Sequence, residues 1–220
     1  MSAYYPLFAD LRGRRCVVIG GGAVAQRKVT ALVRYEACVT VVSPEATPRL
    51  ARYARAGKIV HRARRFRLAD LRGAWLVYAA TDDPRTNERV FRSATRQHLF
   101  TNVVDQPRLC SFIAPAIARR GEVVIAVSTG GRSPTLAKTL RREVQRVVGG
   151  DYAAMLRLLE SLRGAAKRRL PRYDDRKHYF ATLVEGRVFQ LVRRGALRQA
   201  KREALELLRN SALREYCTGR

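Results

Sequence analysis

The sequence predicts an α/β fold in which a doubly wound parallel sheet is followed by a small helical domain. From Arg15 to Val104 short apolar runs alternate with segments of helical spacing, as expected of parallel βαβ units with right-handed crossovers. The first apolar run enters three consecutive glycines, which permit a sharp strand-to-helix turn. From Asp151 onward only helical spacing remains, so the predicted sheet lies in the first part of the chain.

The predicted strands are short apolar runs that end at glycine, proline or a polar turn. They lie at residues 15–20, 38–42, 58–60, 75–80 and 99–104. Helices, recognised by apolar residues three and four positions apart, are predicted at residues 23–35, 50–56 and 86–97. A first domain is therefore expected to end near Pro115.

Beyond this domain the sequence predicts one more strand, at residues 122–127, and then helices. Ser133 before Pro134 is expected to begin a helix, because serine caps helix N-termini and proline fits the first helical position. Gly149 and Gly150 mark a boundary, after which an apolar stripe predicts a helix that Pro171 interrupts. The stripe consists of Met155, Leu158, Leu159 and Leu162.

The composition is that of a folded protein with a large positive charge. The formal net charge of +26 fits three explanations: a polyanionic small substrate, affinity for nucleic acid, or an arginine-rich proteome without functional meaning. The apolar runs are far shorter than the roughly 20 residues that span a bilayer, and residues 1–8 lack the pattern of a secretory signal. We therefore expect a cytoplasmic protein without membrane contact.

A glycine-rich turn is the strongest chemical motif. Gly20-Gly21-Gly22-Ala23-Val24-Ala25 fits the pattern G-x-G-x-x-A between a predicted strand and a predicted helix. Glycines let the backbone approach a pyrophosphate, whose charge then faces the helix N-terminus. The pattern favours a Rossmann-type domain with a dinucleotide site at Gly20, Gly22, Ala23 and Val24. A methyltransferase and a glycine turn without a ligand are the alternatives.

The end of the second predicted strand bears on which dinucleotide is bound. Rossmann domains commonly place an acidic residue there to bind the ribose, whereas this chain has Ser43, Pro44 and Glu45. Ser43 is able to hydrogen-bond a ribose hydroxyl, Glu45 is expected nearby, and no arginine follows immediately to bind a 2′-phosphate. The segment favours NAD over NADP.

Acidic residues that follow predicted strands are candidates for proton transfer or for capping. Asp105 follows the strand at 99–104, where its carboxylate either accepts a proton or caps the turn that follows. Asp82 and Asp83 precede a proline and a predicted helix, so we expect them to cap that helix.

The glycines near residue 130 bear on anion binding, and the histidines and cysteines bear on metal binding. Thr129-Gly130-Gly131 is either an anion site built from backbone N–H groups or a simple glycine turn. No metal site is predicted, because the histidines share no ligand spacing and the cysteines form no CxxC pair. Reduced, mostly buried thiols are expected at Cys16, Cys38, Cys110 and Cys217.

Several motifs between Pro6 and Val148 occur in a familiar order and spacing. They are Pro6-Leu7-Phe8, Val18 to Lys28, Ala79 to Asp83 with Asn87, Asn102 to Asp105, Ser111 to Ile113 with Pro115, and Val127 to Pro134. Together they resemble the precorrin-2 dehydrogenase family, which includes the dehydrogenase and chelatase half of bifunctional sirohaem synthase.

The resemblance implies NAD-dependent oxidation of precorrin-2 to sirohydrochlorin, on the route to sirohaem or cobalamin, with iron or cobalt insertion as a further activity of some members. It implies that Asp105 is catalytic and that Thr81 belongs to the cofactor site. An anionic tetrapyrrole is then expected to be bound by Asn102, Ser111, Thr129, Gly130 and Gly131.

The resemblance also implies a homodimer in which segments after Pro115 exchange between subunits. The expected organisation is an NAD-binding Rossmann domain at residues 1–115, a dimerisation segment at 116–149 and a helical C-terminal domain at 150–220.

Two rival hypotheses stay open. The first is a chelatase that retains its NAD site as a relic. The second is a dinucleotide-sensing module that binds nucleic acid, for which the basic charge is the only argument. We regard nucleic acid as the less favoured partner, because no helix-turn-helix or zinc pattern accompanies that charge.

Overall fold

The computed structural model describes residues 4–218, with side chains described through residue 210. The chain divides into two compact units. The first runs to Ala114 and includes Gly130–Arg132, and the second comprises Pro115–Thr129 and the residues from Ser133 onward.

The first unit contains the predicted doubly wound parallel sheet. Its strands are β1 (Arg15–Ile19), β2 (Cys38–Val42), β3 (Val60–Arg62), β4 (Leu76–Ala79) and β5 (Phe100–Val103). They lie in the order β3-β2-β1-β4-β5, and each neighbouring pair is parallel. The direction of winding reverses between β1 and β4, which is where such sheets open a crevice for ligands.

Helices cover both faces of this sheet, because alternate residues of each strand point to opposite sides. The helices are α1 (Ala23–Arg34), α2 (Pro48–Arg55) and α3 (Pro84–Arg96). Cys16 and Val18 of β1 share a core with Val29 of α1, whereas Val17 of β1 shares a separate core with Val90 of α3. Helices α1 and α3 therefore cover opposite faces of the sheet.

The element around Gly57 differs from its prediction. Helix α2 begins at Pro48 rather than at residue 50, because the Thr47 side chain caps it by accepting the N–H of Leu50. Gly57 has a φ of +66°, and Lys58 N–H donates back to the carbonyl of Tyr53. The chain is still turning at residue 58, so β3 begins at Val60 and not at Lys58.

The second unit consists of a hairpin and helices. Its elements are β6 (Ala116–Arg120), β7 (Val123–Val127), α4 (Pro134–Val147), α5 (Gly150–Arg169), α6 (Tyr173–Glu185), α7 (Arg187–Arg193) and α8 (Leu197–Thr218). Strand β6 was not predicted, because two of its five residues are arginines that weaken the apolar pattern. The structure confirms that Ser133 caps α4, since its hydroxyl accepts the N–H of Leu136 at 3.2 Å.

The helices α5 to α8 pack around a core of their own. Met155, Leu158 and Leu162 of α5 are buried in it, and Leu159 packs against it, as the apolar stripe predicts. The buried Tyr179 hydroxyl donates to the carbonyl of Ala204 at 2.8 Å, so its polar atom is satisfied inside the core.

The cysteines differ in their burial, and the helices are informative about membrane spans. Cys16 is buried and Cys110 half-buried, but Cys38 is exposed, because it stands at the start of β2; the side chain of Cys217 lies outside the described ones. Among the described residues, no helix combines the length and the apolarity that a membrane span requires.

A buried carboxylate fixes the loop that follows β3. Asp70 is fully buried, and its oxygens lie 2.6 Å from guanidinium nitrogens of both Arg62 and Arg64. Asp70 also accepts the N–H of Arg67 at 2.8 Å. The contact with Arg64, more than the other bonds, holds the pKa of Asp70 well below its usual range, against the opposing effect of burial.

We expect Asp70→Ala to lower the free energy of unfolding at pH 7 by about 3 kcal/mol, because arginines would be left without their buried partner. This contribution is complete above the carboxyl pKa of the unfolded chain, about 3.9, and is lost as the pH falls below that value. Urea unfolding at pH 7 and at pH 3 measures it. The matched control is Asp10→Ala, which removes an exposed pair with Arg12; equal effects of the two variants would contradict the assignment.

Candidate active site

Most candidate residues of the first unit lie in or beside the loops at one edge of the sheet. In a parallel sheet the carboxyl ends of all strands meet at the same edge. The loops after β1, β2, β4 and β5 therefore lie together there.

The three glycines after β1 have different roles. Gly20 has a φ of +119°, and a Cβ there would lie 2.2 Å from the carbonyl oxygen of Ala80. A Cβ on Gly21 would lie 1.9 Å from the carbonyl oxygen of Glu45, whereas a Cβ on Gly22 would meet no atom within 4 Å. Gly20 and Gly21 thus let neighbouring loops pack closely, and Gly22 borders open space. The role of Gly21 was missed, because the motif leaves its position unspecified.

Helix α1 begins at this open space without a capping side chain. Its N-cap is Gly22, no side chain bonds to the cap, and the first turn contains no acidic residue. Ala23 is exposed and Val24 half-buried. The first N–H groups of a helix lack partners within the helix and favour an anion. The start of α1 therefore fits the pyrophosphate of a dinucleotide.

The loop after β2 is fixed against the glycine turn. The backbone N–H of Thr47 donates to the carbonyl of Gly21 at 3.0 Å. Ser43 is buried, and its hydroxyl lies 3.2 Å from Nε2 of His61, while Pro44 and Glu45 are exposed. The hydroxyl of Ser43 thus has a partner within the protein, and its contact with a ribose stays a prediction.

The loop after β4 is held by an amide. The Thr81 hydroxyl donates to Oδ1 of the buried Asn87 at 2.8 Å, and Nδ2 of Asn87 donates to the carbonyl of Thr81 at 2.9 Å. The prediction that Asp83 caps the next helix is confirmed, since its carboxylate accepts the backbone N–H groups of Arg85 and Thr86. Asp82 is exposed and is not the N-cap residue.

Asp105 stands in the turn after β5 with its side chain exposed. Its φ is +59°, a left-handed conformation that aspartate adopts more readily than most residues. The turn closes without the carboxylate: the N–H of Gln106 and the thiol of Cys110 both donate to the carbonyl of Val103. Among the described residues, the carboxylate of Asp105 accepts no hydrogen bond.

Asn102 and Ser111 join β5 to the segment that follows this turn. Asn102 is buried, and its Nδ2 donates to the carbonyl of Phe112 at 2.9 Å. The hydroxyl of Ser111 accepts the backbone N–H of Thr101 at 2.8 Å. These two hydrogen bonds hold the segment that follows the Asp105 turn against β5. The contact of either side chain with a substrate stays a prediction.

The Thr129 side chain is hydrogen-bonded to the start of α4. The hydroxyl of Thr129 accepts the N–H of Ser133 at 3.1 Å and donates to its carbonyl at 3.0 Å. Gly130 and Gly131 have φ values of +64° and +81°, which favour glycine. Anion binding by this segment remains untested. Among the described residues no group of three or more histidine, cysteine or acidic side chains is placed to hold a metal ion.

Three family models match the chain. The model described as "Putative NAD(P)-binding" matches residues 7–116, that of the sirohaem biosynthesis protein central region matches 120–146, and that of the sirohaem synthase dimerisation region matches 151–208.

Curated relatives resemble nearly the whole chain. Siroheme synthase of Thioalkalivibrio sulfidiphilus is 41% identical over 203 residues, which cover 92% of this chain and 41% of that protein. Siroheme synthase of Methylobacillus flagellatus is 40% identical over 201 residues, covering 91% of this chain and 43% of that protein. The chain thus spans about two fifths of the length of these relatives.

A solved structure described as "SirC, precorrin-2 dehydrogenase" has the same fold. Its TM-score is 0.78 at 22% sequence identity, and the match covers 94% of this chain and 100% of that one. The order of the family regions along the chain agrees with the order of the parallel sheet, the hairpin and the helices. The chain belongs to the sirohaem synthase family and contains that family's NAD(P)-binding, central and dimerisation regions.

Proposed function

We propose that this chain oxidises precorrin-2 to sirohydrochlorin and uses NAD as the acceptor. The overall change removes two hydrogens from the substrate, one as a hydride and one as a proton, and yields NADH. The proposal rests on two features that lie at the same edge of the sheet in the first unit. The open glycine turn before α1 lies at the same sheet edge as Asp105, whose exposed carboxylate accepts no hydrogen bond from the described residues.

The residues at the start of α1 fit a dinucleotide. Gly22 leaves the space in front of the helix open, and the backbone N–H groups of Ala23 and Val24 are available at the helix N-terminus to bind a pyrophosphate. The loops that contain Glu45 and Thr81 flank the turn, because the close approach of Gly20 and Gly21 holds them there. When bound, NAD supplies the nicotinamide that accepts the hydride.

Asp105 is the proposed proton acceptor. Loss of a hydride leaves a proton to be removed, and an exposed carboxylate at the carboxyl edge of the sheet is able to take it. The backbone of its turn is held by hydrogen bonds to the carbonyl of Val103, so the carboxylate is not needed to stabilise the turn. The anionic substrate is proposed to contact Asn102 and Ser111, and the formal charge of +26 favours its binding. Anion binding by Thr129, Gly130 and Gly131 is proposed separately.

The direct test is anaerobic incubation of the protein with precorrin-2 and NAD, followed by absorbance of NADH and sirohydrochlorin. We expect both products in equal amounts. A second incubation, with sirohydrochlorin and ferrous iron or cobalt, tests metal insertion. Metal insertion without NADH formation would replace the proposal with a chelatase that keeps a relic NAD site.

We expect NAD to be used in preference to NADP, because the exposed Glu45 stands in the loop next to the glycine turn and repels a 2′-phosphate. Arg62, at the end of β3, and Arg64, in the loop after it, are paired with Asp70. The specificity constants for the two cofactors measure the preference. Glu45→Gln is expected to narrow the ratio by about tenfold, and a wild-type preference for NADP would contradict the proposal.

We further propose a homodimer with residues 116–149 as part of its interface. Several large apolar side chains of this segment are exposed in the single chain: Ile117 at 41%, Leu136 at 50%, Leu140 at 37% and Val147 at 73%. The adjoining helices match the family's dimerisation region.

Light scattering is expected to give about twice the 24.8 kDa chain mass at micromolar concentration. Leu136→Glu combined with Leu140→Glu is expected to give the monomer, because charged groups are costly to bury at an interface. The control Leu68→Glu changes an exposed leucine of the first unit and should leave the dimer intact. A monomeric wild-type protein would reject the proposal.

A further inference from the structure

Ser43 and His61 are in contact at the end of β2, next to the glycine turn. Ser43 directly follows β2, and a Cβ on Gly21 would lie 2.6 Å from its Oγ. His61 is half-buried on β3, the strand that pairs with β2. Its Nε2 lies 3.0 Å from the carbonyl oxygen of Ser43 and 3.2 Å from the Oγ of that residue. Both residues therefore lie beside the candidate cofactor turn.

The contact with the carbonyl decides which nitrogen of His61 carries a hydrogen. A carbonyl oxygen only accepts hydrogen bonds, so an Nε2 without a hydrogen at 3.0 Å would place two lone pairs against each other. Nε2 must therefore carry a hydrogen, in the neutral ring and in the imidazolium alike. A ring nitrogen that carries a hydrogen donates and does not accept. The Ser43 hydroxyl thus accepts from His61 and does not donate to it.

This arrangement leaves the hydroxyl hydrogen of Ser43 without an acceptor. The backbone N–H of Ser43 donates to the carbonyl of Arg62 at 3.2 Å, and the carbonyl of Ser43 accepts from His61. In the part of the chain that the structure describes, no atom accepts the hydroxyl hydrogen. Ser43 is only 5% exposed, and a buried donor without an acceptor is costly. An oxygen atom of a ligand beside Ser43 would remove that cost.

The place of Ser43 in the fold indicates which oxygen atom this is. In Rossmann domains an acidic residue at the end of the second strand commonly accepts a hydrogen bond from the 2′-hydroxyl of the adenosine ribose. Ser43 has a hydrogen to donate instead, so the ribose hydroxyl has to be the acceptor. We infer that His61 is a positioning residue of the cofactor site, and that its Nε2–H orients the Ser43 hydroxyl to donate to the 2′-hydroxyl oxygen. This inference rests on the proposed function, in which NAD binds at the glycine turn.

The test measures the affinities for NAD and for 2′-deoxy-NAD, in which the adenosine ribose lacks that hydroxyl. Calorimetric titration of the wild-type protein is expected to favour NAD about fivefold, the contribution of one neutral hydrogen bond. Ser43→Ala and His61→Leu should each bring the ratio of the two dissociation constants close to one. His61→Gln keeps an amide N–H at a similar reach and should keep most of the preference. The control His178→Leu, which removes an exposed histidine of α6, should keep all of it.

The ratio of the two dissociation constants separates positioning from loss of structure. Damage to the fold weakens the binding of both dinucleotides alike and leaves the ratio unchanged, whereas loss of the ribose contact weakens the binding of NAD alone. If His61 acts through Ser43, adding His61→Leu to Ser43→Ala should not change the ratio further. A wild-type ratio near one, an unchanged ratio in either single variant, or a further change in the double variant would overturn the inference alone. A wild-type protein that binds neither dinucleotide would instead overturn the proposed function on which the inference rests.

Discussion

Replacing Asp105 by asparagine is expected to reduce turnover of precorrin-2 by roughly 10² to 10⁴, the range typical of a general base. The amide has nearly the same size but does not accept a proton at neutral pH. Asparagine also adopts the left-handed backbone that this position requires, so the turn should be preserved. NAD affinity should stay near that of the wild-type protein, because the proposed cofactor turn lies after β1 and the replaced residue lies after β5.

Anaerobic turnover, NAD titration and thermal unfolding of the same preparations measure this result. Asp174→Asn removes an exposed carboxylate of α6 and controls for the change of net charge. The turn closes through backbone and thiol hydrogen bonds, so the substitution should not unfold it. Normal stability together with near-normal turnover in Asp105→Asn would therefore remove Asp105 from the mechanism.

Replacing Gly22 by aspartate is expected to abolish NAD binding while leaving the protein folded. The backbone of Gly22 has a φ of −78°, which any residue adopts, and its Cβ would meet no atom within 4 Å. Aspartate is a favourable residue at a helix N-cap, so unfolding stability should be unchanged or slightly raised. The same carboxylate would occupy the helix N-terminus and repel the pyrophosphate, so NAD affinity should fall at least about a hundredfold.

Calorimetric titration with NAD, beside thermal unfolding, separates these two effects. Gly22→Ala adds a methyl group in open space without a charge and should weaken NAD binding much less. Gly21→Ala is the opposite control, because its Cβ would collide with the carbonyl of Glu45 and should destabilise the protein. Undiminished NAD affinity in folded Gly22→Asp would show that the cofactor binds elsewhere.

Periodicity predicted the sheet because its strands are buried and apolar. Val17, Val18 and Ile19 are inaccessible to solvent or nearly so, and such runs are recognisable without a structure. Strand β6 was missed for the opposite reason, since it ends in exposed arginines. The start of β3 was misplaced by two residues, because the backbone of Gly57 decides where the turn ends.

The sequence identified the positions of the candidate site better than their contacts. Gly22 and Asp105 follow from motif and spacing, but the packing of Gly21 against Glu45 depends on two loops that are distant in sequence. Lys28 stands within a motif that pointed to the family, yet its neighbour Tyr78 belongs to another element. Such contacts depend on tertiary structure, which periodicity does not describe.

The left-handed backbone at Asp105 restricts how this position changes during evolution. Glutamate is the nearest chemical substitute, but it tolerates this conformation less well than asparagine or glycine. An aspartate codon becomes an asparagine or a glycine codon through a single base change. A lineage that no longer needs proton removal thus reaches an inactive but folded protein through a single base change. Among homologous genes, the residue at this turn is expected to distinguish working dehydrogenases from copies retained for another purpose.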